Sequence, residues 1–184
     1  MKSNLFTIFL FIIISIASCR KVQDNLPSET AVGAYTIGFK VNGTVYTANG
    51  KVGQLLNDGS VSYNYSNYTT DHSIFIRARR NAGDNKFEIW LAIPYKDTIG
   101  TYLLMNDYKG TFFLGGNPNP NDQSGASIYT TNNVYTGKVN ISYFDGTPVP
   151  YYPGRILAGT FEMKGVNKNG KVIQITDGRF DIGN

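Results

Sequence analysis

The chain's only histidine, His72, stands in Thr70-Asp71-His72-Ser73, with an acid before it and a hydroxyl after it. Those are the residue types of a nucleophilic triad. A triad, however, converges from separated positions, and no Gly-x-Ser-x-Gly elbow accompanies this stretch. His72 therefore reads as a solvated turn residue. One His and one Cys leave too few soft ligands for a zinc centre. The 13 acidic residues could hide a glycosidase pair, which needs two carboxyls about 5 to 10 Å apart across a cleft. Glu88 and Glu162 are the candidates, each mid-strand on the polar side of its alternation, and both read as exposed strand carboxylates. Asp177 and Asp181 with Asn184 have the oxygen chemistry of a calcium loop. The EF-hand spacing is absent, and Asp177-Gly178 reads as a turn. Gly115-Gly116 is followed by Asn-Pro, without the lysine or the helix of a phosphate loop. No catalytic residue, metal or cofactor is expected, and the chain reads as a non-enzyme.

Aromatic rings are the other chemistry on offer. They make up 14% of the chain, with 13 tyrosines and a single tryptophan. Tyr63, Tyr65 and Tyr68 cluster in Ser62-Tyr-Asn-Tyr-Ser-Asn-Tyr68, and Tyr151 and Tyr152 lie in a Pro-rich stretch. Sugars stack on exposed rings, and asparagine amides can bond their hydroxyls. The same rings also suit a pleated core, and Tyr63 and Tyr65 share one strand face. Trp90 points away from the Phe87-Ile89-Leu91 stripe. If that opposite face meets solvent, Trp90 marks a binding site. The six rings Tyr63, Tyr65, Tyr68, Trp90, Tyr151 and Tyr152 are the candidate ligand contacts.

Cys19, the one cysteine, excludes an internal disulfide. It follows Lys2 and an apolar run from Leu5 to Ile16. That run is shorter than the roughly 20 residues a spanning helix needs and fits a secretory h-region. Ile16-Ala17-Ser18-Cys19 resembles the bacterial lipobox. It implies a thioether to diacylglycerol at Cys19, with cleavage after a signal peptide of residues 1–18. Two or three acyl chains make a stable anchor where one is marginal. Arg20 in place of an aspartate favours the outer membrane. Residues 19–33 are polar, with Pro27 and Gly33, and read as a flexible linker. The net charge of +4 is too mild and dispersed for nucleic acid.

These features must be carried by residues 34–184, which read as one antiparallel β domain. Tyr35, Ile37, Phe39 and Val41 alternate with Thr36, Gly38 and Lys40, and Asn42-Gly43 is a type I′ hairpin signal. Ile74, Ile76 and Ala78 alternate with Phe75, Arg77 and Arg79. Phe87 to Ile93 alternates until Pro94 ends the run. Short strands follow at 101–105 and 111–114, then a Gly/Pro/Asn-rich loop over 115–127. Val139, Ile141 and Tyr143 share a face, as do Phe161 and Met163. Asn169-Gly170 turns the chain into a last strand, 172–182. No apolar spacing of three and four appears. About ten short strands imply an antiparallel β-sandwich, with a closed lipocalin-like β-barrel as the second choice.

The stretches FKVNGTVYTA (39–48), DTIGTYLL (97–104) and GTFEMKGVNKNGKVIQITDGRFDI (159–182), behind a lipobox, resemble a family of small uncharacterised Bacteroidetes lipoproteins with a domain of unknown function. The resemblance covers most of the chain after Cys19. It implies a shared β fold and an exported, lipid-anchored life, and it carries over no catalytic residue. Asp97-Thr98-Ile99 resembles the O-glycosylation site of that phylum, with Thr98 as acceptor. The expected function is a lipid-anchored outer-membrane protein that binds a glycan, a peptide or an envelope partner without catalysis. The alternatives are a structural envelope lipoprotein without a small ligand, and a carboxylate-dependent hydrolase. A membrane, through the lipid, is the expected partner and nucleic acid is not.

Overall fold

A computed structural model describes residues 26–51, 59–66, 73–81, 83, 85–94, 99–105, 108–115, 127–145 and 156–183, with the backbone alone for Tyr65 and Ser66. Cys19, Tyr68, His72, Thr98, Tyr151, Tyr152 and Asn184 lie outside the described residues, as does the side chain of Tyr65.

Among the described residues every element is a strand. In chain order they are β1 Thr36–Val41, β2 Thr44–Asn49, β3 Gly59–Ser66, β4 Ser73–Arg80, β5 Phe87–Pro94, β6 Gly100–Leu104, β7 Gly110–Leu114, β8 Ile128–Thr130, β9 Gly137–Phe144, β10 Ile156–Val166 and β11 Val172–Gly183. The Asn-Gly signals act as their chemistry requires. Asn42 and Gly43 both take positive φ, 48° and 87°, in the two-residue turn between β1 and β2, and Gly170 does so (77°) between β10 and β11.

All strand neighbours are antiparallel, in the order β2-β1-β11-β10-β8-β7-β5-β4-β3. The long strand β10 splits the sheet. Its first part pairs with β9, which pairs in turn with β6, while Val166 near its end pairs with Thr130 of β8. The two ends of the path, β2 and β3, meet without a regular ladder. Val61 N–H donates to Gly50 C=O at 2.9 Å. Asn85 Nδ2 reaches Val45 C=O at 3.2 Å and Arg80 Nη1 reaches Thr47 C=O at 3.4 Å. Side chains thus satisfy the edge carbonyls of β2 that no strand reaches. The result is one nearly closed, barrel-like sheet rather than two separate layers. Of the two closures compatible with the sequence, the barrel is the one formed.

The barrel is filled. The inward residues of β1, β2, β4, β5, β7, β10 and β11 form one cluster centred on Phe39. Its ring lies 5.0 Å from Phe87 and 5.9 Å from Phe112, both edge-on, and stacks on Tyr46 at 5.8 Å. Interlocked rings of this kind suit a small barrel whose lumen is just wide enough for side chains. Gly159 on β10 marks the tightest backbone approach, since a Cβ there would lie 2.1 Å from Asn140 C=O on β9.

Two bulges redirect side chains. The β9–β10 register slips between Ala158 and Gly159, which turns Tyr143 outward, against the expected Val139-Ile141-Tyr143 face. Phe144 packs against the core instead. Asp177-Gly178, expected as a turn, is instead a bulge inside the continuous strand β11. The register slips there against both β1 and β10, and Asp177 takes φ 54° while meeting Lys40 Nζ at 3.0 Å.

Residues 26–33, expected as part of a flexible linker, are laid along the outside of β1 and β11. Pro27 sits where a side chain on Gly38 would be, 2.3 Å from the position of its Cβ, and Arg179 Nη1 donates to Pro27 C=O. The anchor is Asp181, 1% exposed. Its carboxylate accepts from Thr30 Oγ1 (2.6 Å), Val32 N–H (3.0 Å) and Gly33 N–H (2.7 Å). Burial alone would raise its pKa. The hydrogen bonds from Thr30 and from the Val32, Gly33 and Ala34 N–H groups outweigh burial and hold it below the ordinary carboxylate value.

Candidate functional site

A filled lumen moves any ligand site to the outer surface. The outward residues of β3, β4 and β5 form rows across the sheet. One row reads Ser62, Arg77, Trp90 and, on β7, Thr111; the next places Asn64 beside Phe75. Inward and outward residues alternate strictly on β4 and β5, so the sequence that fills the barrel with Ile76, Ile89 and Leu91 also delivers Arg77 and Trp90 to the surface.

Trp90 is 38% exposed and held on three sides. Its ring lies 5.3 Å from Phe113 and 5.4 Å from the Arg77 guanidinium carbon. Its Nε1–H donates to Glu88 Oε1 at 2.6 Å. Arg77 Nε donates to the same oxygen at 2.5 Å. An exposed indole fixed by a ring, a cation and a hydrogen bond is a rigid stacking platform.

Glu88 is the residue that sequence reasoning misplaced. It was expected as an exposed strand carboxylate, and it is wholly buried. Oε1 takes two donors, and Oε2 has no partner. The signal available in the sequence was the spacing Glu88-x-Trp90 on one strand face opposite Arg77 and Arg79. Glu162, its expected counterpart in a hydrolase pair, is exposed and paired with Lys138 at 3.2 Å. Two strands, β7 and β8, separate β5 from β10 in the sheet, which puts the carboxyls roughly 14 Å or more apart at about 4.8 Å per strand step. That exceeds either glycosidase geometry. Asp177 and Asp181 are likewise kept apart, one on Lys40 and the other under residues 30–34. Among the described residues no group of three or more His, Cys, Asp or Glu could hold a metal ion, and no helix is long and apolar enough to cross a membrane.

Beside the platform, over the seam where β3 meets the end of β2, lies a groove of about 350 Å³. Ser60, Ser62 and Asn64 line it from β3, Arg77 and Arg79 from β4, and Tyr35 and Lys51 from the other side. Lys51 Nζ sits over the Tyr35 ring at 5.5 Å. Arg77 belongs to both groove and platform, and its side chain is 48% exposed. Tyr63, expected as a ligand contact, borders this groove but is only 3% exposed and belongs to the core. Of the six candidate rings, the structure places Trp90 on the surface and Tyr63 in the interior. Phe75, which the sequence reading passed over, is a second exposed ring on the Trp90 face, at 38%.

Two further grooves lie over β9, β10 and β11. One, of about 200 Å³, is lined by Lys138, Glu162, Asp177 and Arg179. Glu29 lines it as well, and the other four charges have partners in the Lys138–Glu162 and Lys40–Asp177 pairs and the Arg179–Pro27 bond. The other, of about 370 Å³, runs past Leu103, Val134 and Met163.

Comparison with known proteins returns no matching family model, no matching curated protein and no matching solved structure.

Proposed function

We propose that this protein is a lipid-anchored envelope protein that binds a glycan, without catalysis, on the outer face of β3, β4 and β5. The observation that carries the reading is Trp90: a half-exposed indole, immobilised before any ligand arrives, next to a groove rich in hydroxyl, amide and guanidinium groups. Sugar rings offer C–H faces to an indole and hydroxyls to Ser and Asn side chains. A platform already held in place avoids the ordering cost of binding. A groove of this size lies at the lower end of small-ligand sites.

The anchor part of the proposal rests on Ile16-Ala17-Ser18-Cys19 behind the apolar run 5–16. The resemblance to small Bacteroidetes lipoproteins points the same way, to the outer membrane. Thr98 in Asp97-Thr98-Ile99 is proposed as an O-glycosylation acceptor.

Trp90 is the only tryptophan, so its emission reports on this site alone. Titrating neutral and charged oligosaccharides into the full chain in detergent should quench or blue-shift that emission. An unchanged spectrum across a broad glycan panel would sink the glycan reading. It would leave a structural envelope protein, which the filled lumen favours.

A further inference from the structure

We infer that the seam groove selects an acidic sugar, a uronic acid or a similar carboxylate-bearing residue, placed beside a ring stacked on Trp90. This rests on the glycan-binding reading and names its substrate class.

The inference comes from the distribution of charge. The described lining of the seam groove contains Lys51, Arg77 and Arg79 and no carboxylate. The groove over β9 and β10 is mixed, with Glu29, Glu162 and Asp177 beside Lys138 and Arg179. Among the described residues, the acid at the platform is Glu88, which is buried and directs its Oε1 to Arg77 and Trp90, not to solvent. Three cations therefore converge on a recess walled by Ser and Asn side chains, where the partly enclosed setting strengthens their pull on an anion. Arg77 is the pivot. Its Nε is fixed on Glu88 and its guanidinium carbon is over the Trp90 ring, so the half-exposed remainder of the fork is held ready for a carboxylate. A sugar ring on Trp90 would put an acidic neighbour over Arg77, about 5 Å away across one strand step toward β3. That is the span of adjoining sugar residues. The wall chemistry favours a sugar over a lipid headgroup: three of the lining side chains are hydroxyls or an amide on consecutive outward positions of β3.

The test compares three probes by calorimetry and Trp90 emission on the full chain in detergent: a galacturonic acid hexamer, a neutral galactose hexamer, and glycerol phosphate. The acidic hexamer is expected to bind at least tenfold more tightly than the neutral one in about 50 mM salt. The preference should shrink severalfold in about 500 mM salt, where the Debye length falls below the size of the groove. The double variant Lys51→Gln/Arg79→Gln, at partly exposed positions outside the core, should cut the acid-to-neutral ratio to threefold or less. Equal affinity for the two hexamers would overturn the acidic selectivity and leave the glycan reading standing. Binding by neither hexamer would overturn both. Tighter binding of glycerol phosphate than of the acidic hexamer would overturn the inference in favour of an anionic lipid surface. A ratio unchanged in the double variant would remove the groove from the explanation.

Discussion

Glu88 and Trp90 stand two residues apart on the same outward face of β5, and the carboxylate that receives the indole N–H is closed off from solvent. A strand's alternation puts both on the outside. Only the packing of Trp90, Phe113 and Arg77 around Glu88 explains why one is exposed and the other is not.

This arrangement makes the two partners of the Arg77–Glu88 pair unequal. Arg77→Met leaves a buried charge without its cation and should cost about 3 kcal/mol or more, as for buried pairs broken on one side. Glu88→Gln keeps an acceptor for the Trp90 N–H and releases a half-exposed arginine to water. It should cost less, about 1–2 kcal/mol. Combining the two should recover part of the Arg77→Met loss. Denaturant unfolding of the four proteins checks the order, and an Arg77→Met loss smaller than that of Glu88→Gln would contradict it.

Asp181 gives the fold an acid-sensitive contact. Its folded pKa is lowered, so its contribution is complete above the unfolded carboxylate value of about 4 and is lost as pH falls through the lower folded value. Asp181→Asn should therefore destabilise at pH 6 by about 2–3 kcal/mol, the scale of charge-assisted hydrogen bonds. The gap to the unmodified chain should narrow near pH 2. Hydrogen exchange at the Val32 and Gly33 amides should speed up in the variant at neutral pH. Unchanged protection there would mean that the carboxylate does not hold the segment.

Gly38 and Gly159 separate the docked segment from the barrel. A methyl on Gly38 meets the Pro27 ring, which can move away; a methyl on Gly159 meets the Asn140 backbone carbonyl, which cannot. Gly38→Ala should expose residues 26–33 to limited proteolysis while leaving the unfolding midpoint within about 1 kcal/mol. Gly159→Ala should lower stability by about 1–3 kcal/mol, the usual range for overpacking. Equal midpoints for the two variants would contradict this distinction.

Cys19→Ala tests the anchor. The unmodified chain should fractionate with membranes, and intact mass should show acylation at a new N-terminus. The variant should lose both the acyl mass and the cleavage. An unacylated, uncleaved chain in the cytosol would refute the lipobox reading.

Much of the barrel was readable from short stretches. Asn42-Gly43 and, at Asn169-Gly170, the glycine specify their turns through positive φ, and the alternations of β1, β4, β5 and β10 specify their inward faces. The closure was not readable, because the same inward stripe serves a sandwich or a barrel. The difference lies in how Arg80, Asn85 and Val61 meet the edge of β2. The short strand β8 carries three residues, too few for any periodicity. Tyr143 was assigned to the wrong face because a single extra residue in β9 inverts everything beyond it. Glu88 was misplaced for a related reason: strand position tells which way a side chain points, while its cover comes from β4 and β7. The docking of residues 26–33 depends on Asp181, roughly 150 positions later, a pairing that no local pattern encodes.

The place of β11 between β1 and β10 has a consequence for biogenesis. The first hairpin finds its lateral neighbour only when the twelve residues of β11 have been made, so a nascent chain has no barrel-like sheet to settle into. Long-range closure of this kind is slow. A chain cut before Val172 would leave the β1–β2 hairpin and the Phe39 rings without a wall, and would aggregate rather than persist as a smaller domain.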